Sequence, residues 1–568
     1  MNKFKWLPWI LPLFSIGVWM GLTAQSSTEV GEVTSTYLIK NAMIVQKPGT
    51  VLSQTDLLIR NGLIADIGKN LKAPFDALVI DADSMYVYAG FIDAASHTGV
   101  KKKEQPQQRE RVPNPGNPPN DKAGITPENS VLDHFDLSEK SVEEMRKNGF
   151  TIAHVFPHGS MLPGKGAVVS LGEGNYQNKI IKRNNSVFAQ FSTERGVFPS
   201  TLIGVMSKWR DLYNNSKNAA DYQSKYAANP AGLPRPVVDN ATEALIPVVK
   251  KEIPVYFKTE KVLDVHRVLN LKEELGFQLV LTDVSQIYPA VDRVSALKIP
   301  VLLNPDLPKE DEKKESKEEK KDGEEKEMKA KDEEKEALKA RKQEAIETYK
   351  KQAGLLEKNN IPFAFAFIDG KVKDFKTNIR KMVESGLSEN GALKAMTTGP
   401  AQLLGIDRQY GTVEKGKMAH LVITDKPYFD EKSQLKFVFV DGYKYEIESK
   451  SQRPKEANGE VANIAGEWSY EISIPGMTRT GKLQLEQNGS DITVKMSSEE
   501  APDSFMNIDN ADIQGNNLVF TANISFSGNS ISLDYDLTFD GDTFEGNVGI
   551  GDFGSFPVKG SKLGSPKF

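Results

Sequence analysis

The stretch AGFIDAASHTG, residues 89–99, runs an apolar strand through Gly90, Phe91 and Ile92 and delivers His97 at its end. An imidazole presented from a strand end can ligate a metal or carry a proton. The position two residues earlier, where a His-x-His pair would begin, is Ala95. Other nitrogen and sulfur donors are scarce, since the chain has six histidines and no cysteine. Thiolate chemistry and Cys-ligated zinc are therefore impossible. His154 and His158, in IAHVFPHG, flank a strand end without ligand spacing and read as satisfied structural histidines. His266 falls in an amphipathic helical stretch and His420 in a β-rich region, neither a catalytic candidate. The glycines of MLPGKGAVVSLGEG follow a strand but lack the spacing and the trailing Lys-Ser/Thr of a phosphate loop.

The surrounding pattern sets what could position these groups. Residues 89–408 alternate apolar strand-like runs (TIAHVF, GAVVSL, IPVYF, FQLVLTD, IPVLLN, IPFAFAFID) with amphipathic stretches such as SVEEMRKNG and VLDVHRVLNLKEELG. Such alternation predicts an α/β fold with a mainly parallel sheet, here a TIM-like (β/α) barrel. Short β-rich runs at 36–88 and again at 409–448 predict one composite β-sandwich built from both flanks of the barrel. Residues 449–460 form a linker. From 461 to 568, alternating runs such as GEWSYEISIPG and ISLDYDLTFDG predict a C-terminal antiparallel all-β domain without a titratable constellation.

Two biased segments interrupt this plan. Residues 105–121 are Pro-rich and predict an extended loop overhanging the His97 end of the barrel. Residues 309–344 mix charges of both signs with almost no apolar side chains, the mark of a solvated helix or a disordered insertion.

A chain of 568 residues that is 39% hydrophobic has material for several cored domains. A net charge of -5 without basic clusters argues against nucleic-acid binding. At the N-terminus, Lys3 and Lys5 precede an apolar run broken by Pro8 and Pro12 and followed by small residues. This reads as a signal peptide over residues 1–25, cleaved on export to the periplasm and leaving no membrane span.

From residue 37 to residue 447 the chain resembles the amidohydrolase superfamily. The pieces that carry the likeness are DLLIRNGLIADIG, AGFIDAASH, NGFTIAHVFPHGSMLPGKGAVVSL, VFPSTLIGVMSKWRDLY, ESGLSENGALKAMTTGPAQLLGI, GTVEKGKMAHLVITD and VFVDG. Within that superfamily it is similar to the exported imidazolonepropionase-related and dihydroorotase-like branch. The resemblance implies a metal site at the barrel mouth and hydrolysis of carbon–nitrogen bonds other than peptide bonds. It also implies where the ligands should be, and the set is depleted. Ala95 stands for the first histidine of strand one and His97 for the second. Lys258 occupies the fifth-strand histidine position and Asp283 the sixth-strand one. SVFAQFSTERG offers no fourth-strand lysine, while Asp369 retains the last-strand aspartate, the family's catalytic base.

His97, Asp283 and Asp369 are thus a residual ligand set, and Lys258 is expected to replace the metal by neutralising Asp369 and Asp283. The function expected is an exported pseudoenzyme with no bound cofactor, partnered with a second amidohydrolase-family protein or with itself in a homo-oligomer. The alternative is a mononuclear hydrolase of amide or cyclic amide bonds holding one Zn or Mn ion on His97, Asp369 and either Asp283 or His158.

Overall fold

The computed structural model describes residues 36–102, 112–308, 325–447 and, apart from short turns, 462–563. The expected signal peptide and the whole linker, 449–460, lie outside the described residues, as do 105–111 of the Pro-rich stretch and 309–324 of the charged insertion. Two compact units separate at residues 449 and 450.

The first unit holds two eight-stranded sheets. One combines β1 (Tyr37–Lys47), β2 (Thr50–Arg60), β3 (Leu63–Gly68), β4 (Leu78–Asp81) and β5 (Tyr86–Ala89) with three later strands, β14 (Leu421–Thr424), β15 (Leu435–Val440) and β16 (Tyr443–Glu446). The two flanks meet where β5 pairs antiparallel with β14, Val87 opposite Ile423.

The other sheet runs in chain order through β6 (Phe91–Ser96), β7 (Phe150–Val155), β8 (Gly164–Ser170), β9 (Ile180–Ala189), β10 (Val255–Lys258), β11 (Leu279–Val284), β12 (Val301–Leu303) and β13 (Phe363–Phe365). It curls into a nearly closed barrel. A parallel bridge joins Ser96 to Phe367, and the Phe367 amide donates to the Ala95 carbonyl at 2.7 Å. Strands covered on both faces read as unbroken apolar runs. Accordingly, every residue of β6, β7 and β11 is buried. The interior is filled by Ile92, Ile152, Val168, Phe188, Tyr256 and Val280, so the barrel is a packed core and not a pore.

The sheet is mainly parallel, as expected, with one strand reversed. β8 runs antiparallel to both β7 and β9, so the sheet is parallel only from β9 to β13 and between β6 and β7. The physical reason is chain length. Residues 156–163 are all that separate β7 from β8, too few for the dozen or more that a parallel crossover needs. Elsewhere helices make the crossovers. The helix α1 (Lys140–Lys147) precedes β7. Before β10 come α2 (Leu202–Ala228) and α3 (Asn240–Val249), the latter capped by Asp239, whose side chain accepts from the Thr242 amide at 2.8 Å. α4 (Val262–Leu275) buries Val265, Val268 and Leu269, at the spacing of one helix face, and stops at Gly276 in the left-handed region. His266 lies on this helix, as expected.

The charged insertion emerges as helix from Glu325, within a long helix ending at Lys358. Its last turns carry Ile346, Ala353 and Leu356 into the core.

The second unit is all β. Nine antiparallel strands form one sheet, including β17 (Gly466–Ile474), β18 (Met477–Asn488), β24 (Thr543–Ile550) and β25 (Ser555–Lys562), around Trp468, Phe520, Tyr535 and Phe544.

Candidate functional site

Seven of the eight barrel strands end at the same rim, and the residues with chemical potential sit there. His97 follows β6, His158 follows β7, Lys258 ends β10, Asp283 is next to last in β11, and Asp369 lies just past β13.

Lys258 is the hub. Its ammonium donates to Asp369 Oδ2 and lies 3.3 Å from Glu260 Oε1 and 3.8 Å from Asp283 Oδ2. Its side chain is mostly buried, whereas that of Asp369 is half exposed. Burial pulls the Lys258 pKa down, but Asp369, and then Asp283 and Glu260, outweigh it and raise the group above its ordinary range. The lysine stays charged.

Asp283 is completely buried and its backbone lies in the left-handed region, φ 57°. A non-glycine residue there is a strained choice that surrounding structure must enforce. Asn304 holds Oδ1 through a 3.0 Å hydrogen bond, while Oδ2 has no hydrogen-bond partner and faces only the lysine. Burial, only partly offset by Lys258, pushes the Asp283 pKa up to about 7.

His97 and His158 form a second cluster. Their rings lie against each other, centroids 3.9 Å apart and planes tilted by 31°. His97 Nδ1 donates to the Phe156 carbonyl at 2.8 Å, and His158 Nε2 donates to the Val100 carbonyl at 3.1 Å. In each ring these bonds assign the proton and leave the other nitrogen with an open lone pair. Burial, and then the neighbouring His158, lower the His97 pKa to about 4; burial lowers that of His158 as well. Both rings are neutral at physiological pH. A cleft of about 410 Å³ opens beside His97, with Glu144, Phe367, Lys371 and Lys373 on its walls.

Whether a divalent metal suits this mouth follows from its donors. Ala95 is fully buried and brings none, and the fifth-strand position carries a cation. Among the described residues no three His, Asp or Glu side chains converge on a point where an ion could sit. The unpartnered buried oxygen of Asp283, Oδ2, is directed at an ammonium. The residues present do not fit the metal that the resemblance implies.

Of the residues singled out in the sequence, Lys258, Asp283 and Asp369 are brought together, while His97 stands with His158. His154 is structural as expected, its two ring nitrogens meeting the Ala94 carbonyl at 3.2 Å and Ser186 Oγ at 2.8 Å. His420 pairs with Asp441 in the small sheet at 2.8 Å. Sequence reasoning missed Glu260, although its place two residues after Lys258 was a usable signal, and it missed Asn304 and the packing of His158 against His97.

Residues 364–445 match the sequence model of the amidohydrolase family. A 63-residue stretch is 41% identical to the 5-methylthioadenosine/S-adenosylhomocysteine deaminase of Pyrococcus furiosus, spanning 11% of this chain and 15% of the deaminase. Among solved structures, an amidohydrolase from Thermotoga maritima MSB8 superposes with a TM-score of 0.57 at 22% identity, over 72% of this chain and 100% of that one. A prolidase complexed with N-methylphosphonate-L-proline aligns over 72% of this chain and 99% of its own at 12% identity, with a TM-score of 0.40. The first unit thus shares its fold with an amidohydrolase, and its C-terminal part carries the family's sequence pattern.

Proposed function

We propose that this chain is an exported amidohydrolase-type protein in which a lysine has taken the place of the metal, and that it serves a catalytically active amidohydrolase as a non-catalytic or weakly active partner. Its partner is a second amidohydrolase-family chain or another copy of itself, and its compartment is the periplasm. The observation that carries the reading is the Lys258 ammonium, bound to Asp369 with Glu260 and Asp283 around it. A metal-bound water attacks a carbonyl because the ion lowers the water's pKa. A lysine whose own pKa is raised cannot do that, since an ammonium has no vacant orbital to coordinate the water's oxygen and releases no proton near neutral pH.

Elemental analysis of the purified full chain is the test. Well under one equivalent of zinc or manganese is expected, and Asp369→Asn should leave the activity of any complex almost unchanged. Stoichiometric metal together with chelator-sensitive turnover of a cyclic ureide or a dipeptide would overturn the reading.

One observation favours the rival, a mononuclear hydrolase. His97 and His158 each donate one ring N–H to a backbone carbonyl, and metal-bound histidines are oriented by such bonds. The same metal analysis decides between the two.

A further inference from the structure

The second unit carries a groove of about 750 Å³ that the mouth chemistry does not involve. Gly481, Tyr470, Gly560 and Phe544 lie opposite one another in a single row across β18, β17, β25 and β24. The core side of this row is full. A Cβ added at Gly481 would meet the Tyr470 ring at 2.5 Å, and one at Gly560 would meet the Phe544 ring at 2.2 Å. The groove therefore lies on the outer face, with the backbone of this row as its floor.

Two rows of side chains wall it. On one side stand Lys482, Ser469, Ser561 and Thr543, and on the other Glu471, Lys559 and Glu545. Ser497 also lines it, 3% exposed, with an Oγ that has no hydrogen-bond partner. A buried hydroxyl left unpaired is destabilising, so a ligand that engages it recovers part of that cost.

We propose that this groove binds a neutral, hydroxyl-rich glycan chain. The carboxylates of Glu471 and Glu545 can only accept hydrogen bonds, the ammonium of Lys482 can only donate, and serine and threonine do both. A sugar hydroxyl matches all three by donating and accepting at once. Other polymers fit worse. Each of the four strands is paired on both sides, so no free edge is available to an added peptide strand. Lys482 and Lys559 balance Glu471 and Glu545, so a polyanion gains nothing. Tyr470 and Phe544 face inward, so no ring is offered for base stacking. Four strands span about 14 Å, room for a short oligosaccharide.

Native electrophoresis of the full chain through gels containing hydroxyethyl cellulose, mannan or xylan, with polygalacturonate as the charged control, tests the proposal. Retardation by at least one neutral polysaccharide is expected. Its affinity should fall at least about tenfold in E471Q/E545Q, the loss of one or more charge-assisted hydrogen bonds, with the urea midpoint little changed, because the exposed Glu471–Lys559 pair that is also broken adds little to stability. Thr543→Trp, which obstructs the groove without touching the core, should abolish it. Failure of all three neutral polymers to retard the protein, retardation by polygalacturonate alone, or equal retardation of both variants would overturn it.

Discussion

Lys258 Nζ lies 3.8 Å from Asp283 Oδ2, a buried carboxylate oxygen that no hydrogen bond reaches. The Asp283 oxygen depends on this lysine, whereas the lysine also has Asp369 and Glu260. Removing one partner of a buried pair typically costs 3–5 kcal/mol, because the remaining charge is stranded. Asp369 is half exposed and can be rehydrated, so the lower end applies. Lys258→Met should therefore lose about 3 kcal/mol. The double variant K258M/D283N should recover most of it. Urea unfolding at pH 7.5 reads the cycle, and additive losses would refute the coupling.

The same carboxyl group predicts a pH dependence. The Asp283 pKa stands at about 7 in the folded protein against an ordinary value of 3.8. Between those values the folded state holds more protons than the unfolded chain, so this group's contribution to stability falls as pH rises from about 4 to about 7. The full span amounts to up to about 4 kcal/mol. Asp93, fully buried with an unpartnered Oδ2 and a pKa of about 7, adds a second loss of the same sign. Asp283→Asn should remove only its own part. Subtracting its stability-against-pH curve from that of the wild type should leave a decline between pH 4 and pH 7, and a flat difference would show that Asp283 titrates normally.

Restoring donors should restore a metal. Ala95→His alone leaves the ammonium in place and is expected to bind no zinc. A95H/K258H supplies imidazoles at both positions beside His97 and Asp369, and a tetrahedral ion needs about three protein ligands plus one open position. Equilibrium dialysis should find about one equivalent of zinc in the double variant. Because Ala95 is fully buried, near-UV circular dichroism should confirm that the added ring is accommodated.

Asp441 ties the small sheet to the barrel. Its Oδ2 accepts from Lys179 at 2.8 Å and from Ser170 at 2.7 Å, and its Oδ1 meets His420 at 2.8 Å. Burial pushes its pKa upward, but His420 and then Lys179 overcome that and hold it well below the usual carboxylate range. A lowered folded pKa gives stability that is present above about pH 4 and lost as pH falls below it. Asp441→Asn should cost about 3 kcal/mol at pH 7 and somewhat less at pH 3, where the unfolded chain is already mostly protonated while the folded carboxyl is still ionised, a difference that urea titrations at the two pH values would expose.

What could be read from the residues depended on whether the signal was local. FIDAAS and LVLTDV are mainly apolar runs, each carrying one aspartate, and both are strands covered on two faces. The Val265, Val268 and Leu269 spacing announced α4 in the same way. GAVVSL also announced a strand, but its direction is not a property of the run itself. The short separation from β7 did encode it, through the length that a crossover requires. The mouth was legible only where the resemblance supplied a position, as for Lys258 and Asp369. His158 was read first as a structural histidine and only in the alternative as a ligand, because its contact with His97 depends on how the chain turns after β7, which no spacing rule conveys. The φ of Asp283 was equally invisible, since a strand run does not reveal where its last residues twist.

The reversal of β8 also decides what can be cut away. Where a helix would shelter the outside of the barrel between β7 and β9, the chain doubles back, and the exit of β8 delivers Ser170 and Lys179 to Asp441 of the small sheet. That sheet stands in for the missing cladding. An excised barrel, trimmed to residues 89–408, would present an unprotected wall to solvent and should be recovered as aggregate, not as a free-standing fragment.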